Sequence, residues 1–351
     1  MQMRIGILTG GGDCPGLNAA IRACVFTARL TYDDDVLGFL DGWRGVLEGN
    51  FVTLNVEETQ DLLPAGGTIL GTSRTNPFAK PGDVDRVLAS LAQYEVDALV
   101  AIGGEDTLGV AERLGSFNVR AVGIPKTIDN DLSGTEVSFG FVTAVQTATE
   151  AIDRLRTTAE SHHRVIVCEV MGRHAGWIAT YAGIASGVAE ILIPEVPFDL
   201  EAVCERIRRR YAGGHLSSIV VASEGALPRE DRELDSAKQA GTNVGALDAF
   251  GHIRLGGIGV WLAEEIEHRT GYECRATMLG HIQRGGSPTA YDRVLTTRLG
   301  VEAVRAVHDG DFGKMVALRD GQIVRVPLSE AIAAKTVDLE LFGRVAQIFL
   351  G

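Results

Sequence analysis

An α/β protein with parallel sheets in two lobes is predicted by three observations. Apolar, strand-like runs alternate with segments of helical periodicity, glycine-rich turns fall where those strands would end, and the chain is 351 residues long. At roughly 100 to 200 residues per domain that length makes two domains. Alternating strands and helices require crossover connections and therefore parallel pairing, and ligands then gather beyond the carboxyl ends of the strands.

Each element follows from a local pattern. Arg4 to Leu8 read as an apolar strand, Gly10 to Gly12 follow, and Leu17, Ile21, Cys24 and Val25 repeat on one side of a helix that opens after Pro15 and Gly16. Helical spacing returns at Val84, Val87, Leu88 and Leu91, followed by a strand at Ala98 to Ile102, a glycine turn, a short helix, and a strand at Val119 to Ile124. A second series begins after a helix from Val142 to about Thr158. Its strands are Val165 to Val170, Ile191 to Ile193 and Ser218 to Ala222, and the polar stretch from Pro228 to Asn243 reads as a surface excursion. Trp177 and Tyr181, four apart, read as core.

Composition narrows the function. Hydrophobic residues make up 45% and charged residues 23%, and 43 glycines against 10 prolines imply many tight loops. A net charge of −13 repels polyanions, which makes nucleic acid and an anionic membrane surface poor candidates as partners and leaves only local basic pockets open to anions. The five cysteines are odd in number and include no C-x-x-C pair, so neither a disulfide framework nor a thiolate zinc site is expected. The first apolar run ends in glycines, and no stretch approaches the roughly 18 apolar residues of a membrane span. A cytoplasmic location is the expectation.

Several short segments carry chemistry. Gly10 to Gly12 between a strand and a helix can form an anion site from backbone N–H groups, although a tight turn would read the same. The spacing fits neither a dinucleotide fingerprint nor a Walker loop. Gly103-Gly104-Glu105-Asp106-Thr107 puts two acids on a glycine turn, where hard oxygens can reach a magnesium ion or simply complement a helix N-terminus. Pro125-Lys126-Thr127-Ile128-Asp129-Asn130-Asp131 offers a cation, a hydroxyl and two carboxylates in one loop, the groups a phosphoryl transfer to a hydroxyl requires. Arg74, Arg164, Arg173, Arg275, His281 and Arg284 are individually ordinary but as a set suit phosphate recognition, because a planar guanidinium matches phosphate bidentately.

With these residues in place, the sequence resembles the phosphofructokinase family. The segments I-L-T-G-G-G-D-C-P-G-L-N-A-A-I-R, G-T-S-R, I-G-G-E-D-T, P-K-T-I-D-N-D-L, E-V-M-G-R-H-A-G-W, S-E-G and R-A-T-M-L-G-H-I-Q-R-G-G-S-P follow the family's order over nearly the whole chain. The resemblance implies two Rossmann-like lobes with the active site in the cleft between them. A donor-binding lobe would comprise residues 1–140 with 283–333, and a fructose 6-phosphate-binding lobe residues 141–282 with 334–351. It implies Asp129 as the base toward the sugar C1 hydroxyl, Thr127 and Asp131 beside it, Glu105 as the Mg2+ ligand, Gly11 as an amide donor to the phosphates, and Arg74 at the transferring phosphoryl group. Met171, Gly172, Arg173 and Glu224 would surround the fructose moiety, and His281 with Arg284 would clamp its 6-phosphate. Arg164 and Arg275 would complete that clamp from a neighbouring subunit, so a homodimer or homotetramer with shared sites is implied, acting in glycolysis and gluconeogenesis.

Two departures bear on the donor. ATP-using members usually carry glycine at the positions of Asp106 and Lys126, and the pair found here is similar to the pyrophosphate-dependent branch. A carboxylate about 4 Å from where an ATP α-phosphate would pass contributes on the order of 4 kcal/mol of repulsion at an effective dielectric near 20, roughly a thousandfold in affinity. Lys126 would supply fixed positive charge to pyrophosphate, which has no adenosine to add remote binding energy. The alternatives are an ATP-dependent member in which Asp106 turns away, a seven-carbon acceptor, and a non-catalytic sugar-phosphate sensor, which would not need Asp129 and Glu105. Allosteric bacterial relatives place two arginines one turn apart on the first helix. Here Arg22 is followed by Phe26, which argues against an effector phosphate at that place.

Overall fold

The computed structural model describes residues 2–229, 242–247, 253–346 and 348. The chain divides into two compact units. One is built chiefly from Met1–Thr143 and Arg284–Ala334, the other from Ala144–Leu247, His252–Gln283 and Lys335–Gly351.

The first unit holds strands β1 (Arg4–Thr9), β2 (Asp35–Phe39), β3 (Phe51–Leu54), β4 (Ala98–Gly103), β5 (Ala121–Thr127) and β6 (Phe139–Gly140), and later β13 (Lys314–Arg319) and β14 (Gln322–Pro327). Their order across the sheet is β14-β13-β5-β4-β1-β2-β3, with β6 paired to β5. Pairing is parallel except at the two edges, where β2 with β3 and β13 with β14 run antiparallel. The chain builds one side of β1 first and then crosses to the other, so the order reverses between β1 and β4. A crevice at such a reversal is the usual ligand position in an open α/β sheet. Continuous burial of β1, β4 and β5 is what a parallel sheet covered by helices demands, with Leu8, Phe39, Leu99, Leu108 and Leu114 among the core residues.

The second unit has an all-parallel sheet of β7 (Val165–Val170), β8 (Glu190–Leu192), β9 (Ser218–Ser223) and β12 (Cys274–Met278), ordered β12-β7-β9-β8. A separate antiparallel pair joins β10 (Thr242–Leu247) to β11 (Ile253–Leu255). Val165, Val167, Val220, Trp261, Leu262 and Ile266 lie in its core.

Most expected elements form, with ends that match or shift by up to four residues. Alternation alone did not reveal β2, β3, β6, β10, β11, β12 and the β13–β14 hairpin, most of which are short or lie at a sheet edge. Most of the predicted surface excursion, residues 230–241, lies outside the described residues. Tyr181 departs from its core reading: Trp177 is buried, but Tyr181 is 42% exposed, its ring tilted 6.0 Å from the tryptophan. Among the described residues no helix is long and apolar enough to cross a membrane.

Candidate active site

In the first unit, three chemically rich turns leave three neighbouring strands at the same end. β4 stands between β1 and β5, with Ile102 opposite Thr9 and Gly103 opposite Pro125, so Gly10–Gly12, Gly104–Asp106 and Ile128–Asp131 emerge side by side. Their close approach depends on glycine. A Cβ at Gly10 would come within 2.4 Å of the Thr107 hydroxyl, and one at Gly103 within 2.3 Å of the Thr107 Cβ. Thr107, 3% exposed, is therefore the wedge that spaces the first two turns.

Lys126 corrects one expectation, since it does not sit in a loop. β5 continues through Thr127, and β6 pairs with it at Lys126 opposite Phe139, so the lysine is buried at 3% exposure. Its Nζ donates a hydrogen bond to the Gly12 carbonyl. Burial lowers the lysine's pKa below the ordinary range; the carboxylates of Asp131 and Asp129 oppose that shift, and Arg284 adds to it. These groups are thus close enough to act on one another. Cys14, buried beside them, has its thiol pushed up to about 12 by burial, which keeps it neutral.

Asn130 holds the turn that follows. It adopts a left-handed conformation at φ 52° and is 2% exposed. Its Oδ1 accepts from the Ser138 amide at 3.0 Å, its Nδ2 donates to the Glu136 carbonyl at 3.3 Å, and the Asp129 amide donates to Thr127 Oγ1 at 3.1 Å. The buried asparagine is a peg, and the flanking Asp129 and Asp131 stay half-exposed. Asn130 and Thr107 were not singled out from the sequence, although an asparagine between two aspartates in a tight turn is a usable signal for a left-handed residue.

The Gly71–Arg74 segment docks on the first glycine turn, with Thr72 Oγ1 donating to the Gly11 carbonyl at 2.5 Å. The Gly11 amide, expected to face a phosphate, instead donates to the Ser73 carbonyl at 3.4 Å. That bond is long, and a phosphate oxygen is a stronger acceptor that can replace it. Arg74 is exposed beside this contact. Arg284 lies against the same turn: its Nη1 donates to the Asp13 carbonyl at 3.2 Å, and a Cβ at Gly12 would meet it at 2.4 Å.

Glu105 and Asp106 form the first turn of the helix Glu105–Gly115, so both acids complement a helix N-terminus while still lying at the strand end. Glu105 is exposed and Asp106 half-exposed. Among the described residues no group of three or more histidine, cysteine or acidic side chains could hold a metal. An exposed carboxylate at Glu105 with no such cluster suits magnesium that arrives on its phosphate ligand, since Mg2+ is held by one or two carboxylates plus substrate oxygens.

The second unit repeats the pattern on adjacent strands. Met171–Arg173 follows β7, Glu224 follows β9, and the 3-10 turn Gly280–Arg284, which bears His281, follows β12. The first two are tied together by Glu224 N to Val170 O at 2.8 Å, and by Ser223 Oγ and Gly225 N converging on the Gly172 carbonyl at 2.7 and 3.2 Å. His281 is exposed. Arg164 and Arg275 meet on one carboxylate, Glu273, with Arg164 Nη2 at 2.8 Å from Oε1. The hydrogen bond from Arg164 is the main reason the Glu273 carboxyl sits below its usual range. The Arg164 Nε is buried and has no acceptor among the described residues. Arg22 places its guanidinium 4.0 Å over the Phe26 ring and donates to the Gln60 carbonyl at 3.0 Å, so it is already engaged.

The chain is similar to known proteins over nearly its whole length. The family model described as Phosphofructokinase matches residues 4–307. The chain is 57% identical over 350 residues to a protein of Amycolatopsis methanolica named pyrophosphate--fructose 6-phosphate 1-phosphotransferase, covering 99% of this chain and 100% of that one. It is 49% identical over 339 residues to ATP-dependent 6-phosphofructokinase 3 of Streptomyces coelicolor, covering 95% and 96% of the two chains. In fold it is similar to the crystal structure of a pyrophosphate-dependent phosphofructokinase from Marinobacter aquaeolei, with TM-score 0.80 at 24% identity over 96% of this chain and 86% of that one.

Proposed function

The chain belongs to the phosphofructokinase family, and from that premise we propose that it transfers a phosphoryl group reversibly from pyrophosphate to the C1 hydroxyl of fructose 6-phosphate, giving fructose 1,6-bisphosphate and phosphate. The observation that carries the choice of donor is Lys126: a buried lysine fixed on the Gly12 carbonyl, within electrostatic reach of Asp129 and Asp131, with Asp106 at the turn of the neighbouring strand. A fixed cation in a water-poor setting stabilises charge that builds on a small, fully ionic donor and needs no reorganisation to do so. The higher identity to the pyrophosphate-named relative than to the ATP-named one supports the same reading.

In this mechanism Asp129 accepts the C1 hydroxyl proton as the sugar oxygen forms its bond to the terminal phosphorus and the bridging P–O bond breaks. Thr127 and Asp131 hold the hydroxyl and its surroundings, while Lys126, Arg74 and the Gly11 amide take up charge on the phosphoryl oxygens. Glu105 would hold Mg2+, which when bound neutralises pyrophosphate charge. Asp106 opposes an α-phosphate. The first unit is then the donor-binding lobe and the second the fructose 6-phosphate-binding lobe, with Met171, Gly172, Arg173 and Glu224 around the sugar. His281 and Arg284 take the 6-phosphate. The paired Arg164 and Arg275 serve a neighbouring subunit of a cytoplasmic homodimer or homotetramer.

The test is kcat/KM with pyrophosphate and with ATP in the parent, Asp106→Gly, Lys126→Gly and the double variant. Pyrophosphate should dominate in the parent. Asp106→Gly should improve ATP use, Lys126→Gly should damage pyrophosphate use, and the effects of neighbouring groups need not add. A parent that prefers ATP by about tenfold, some 1.4 kcal/mol, overturns the donor assignment.

A further inference from the structure

Gln283 stands in the turn between His281 and Arg284, yet it is fully buried at 0% exposure. Its Oε1 accepts a hydrogen bond from the Met171 amide at 3.3 Å, and its Nε2 donates to the Gly280 carbonyl at 3.1 Å. Both ends of the amide are matched in kind, acceptor to N–H and donor to carbonyl, so the orientation is set by its partners. β7 and β12 run in register up to Glu169 opposite Met278, and the Leu279 amide then donates to the Glu169 carbonyl at 3.0 Å. Beyond that bond the two chains turn into different segments, and the Gln283 side chain carries the connection one step further.

We propose that Gln283 is a positioning residue that fixes the separation between the Met171–Arg173 segment and His281, and through it selects the length of the sugar phosphate accepted. The inference rests on the reading that these two segments hold the fructose moiety and its phosphate. One amide is bonded to the first residue of the sugar segment and to the first residue of the turn that bears the histidine, so it couples the two distances a ketose phosphate must satisfy together. Asparagine is one methylene too short to reach both partners. Leucine or methionine fills the space and bonds neither.

The test uses the full-length enzyme and compares fructose 6-phosphate with a 2-ketose phosphate one carbon longer. Gln283→Met keeps the volume, so packing is disturbed little. It should raise KM for fructose 6-phosphate by about ten- to a hundredfold, the scale of an ångström-sized misplacement. KM for pyrophosphate should stay within about threefold, and the preference for the six-carbon sugar should shrink. If KM rises alike for pyrophosphate and sugar phosphate, or if the sugar preference is unchanged, the positioning role is wrong. Should Gln283→Met fail to fold, Gln283→Glu, which keeps the acceptor toward Met171, decides by the same assay: a raised fructose 6-phosphate KM supports the proposal and an unchanged one overturns it. His281→Ala separates the two levels. If it leaves the fructose 6-phosphate KM unchanged, the reading of the site fails and Gln283 with it; if it raises that KM and the Gln283 variants do not, only the positioning role fails.

Discussion

Asp129, Lys126 and Asn130 show how much a few side chains depend on one turn. Asp129, the proposed base, stays half-exposed at the strand end beside Asn130, which is held in the left-handed region with bonds to Ser138 and Glu136. Asp129→Asn should keep the fold and the fructose 6-phosphate affinity while lowering kcat by about 10² to 10⁴, the range general-base catalysis supplies. A variant with more than half of the parent's turnover would remove Asp129 from that role. Lys126 yields a pH prediction. Burial lowers its folded-state pKa, so its proton leaves at a lower pH than from an ordinary lysine, and the positive charge is present below that pKa and lost as pH rises through it. The kcat/KM for pyrophosphate, which reports the free enzyme, should therefore fall on the alkaline side earlier than a lysine of ordinary pKa allows. Lys126→Arg, always charged, should abolish that limb even if its absolute rate is lower. An alkaline limb that is unchanged in Lys126→Arg belongs to another group.

At the level of elements, the site is a consequence of three adjacent strand ends and the wedge between two of them. Thr107 fits only because Gly10 and Gly103 lack a Cβ, and its own helix begins with Glu105 and Asp106. Gly103→Ala should destabilise the protein by about 1 to 3 kcal/mol, typical of overpacking a closed core. Thr107→Ala removes two of the three atoms the new methyl would meet, Oγ1 and Cγ2, and keeps only the Cβ, so it should recover part of that loss, as measured by urea unfolding in a double-mutant cycle. Additive effects would show that the two residues do not share the space. β6 illustrates what periodicity cannot report. It is two residues long, yet its pairing with β5 turns the predicted Lys126 loop into a buried strand end.

For the whole molecule, the proposed sharing of sites between subunits rests on Arg164 and Arg275, which in this chain gather on Glu273 and leave the buried Arg164 Nε with a hydrogen bond still to make. If a neighbouring copy uses them, mixing inactive Asp129→Asn with inactive Arg164→Ala should restore activity, because a hybrid can hold one site with both groups intact. Demonstrated subunit exchange without any return of activity would sink that arrangement.

The sequence by itself determined the α/β class, the parallel strands that end in glycine turns, the residue types for phosphoryl transfer, and the Asp106–Lys126 pair, because each is a local pattern of spacing or charge. Only the tertiary structure decided that Lys126 is buried on the Gly12 carbonyl, that Arg284 lies against the first glycine turn 271 residues away from Asp13 in sequence, and that Gln283 bridges to Met171. These are contacts between segments distant in the chain. They are fixed by strand order and register, which no single stretch of sequence encodes, and an exposed histidine beside a buried glutamine follows from how the turn after β12 packs, not from the residues' own polarity.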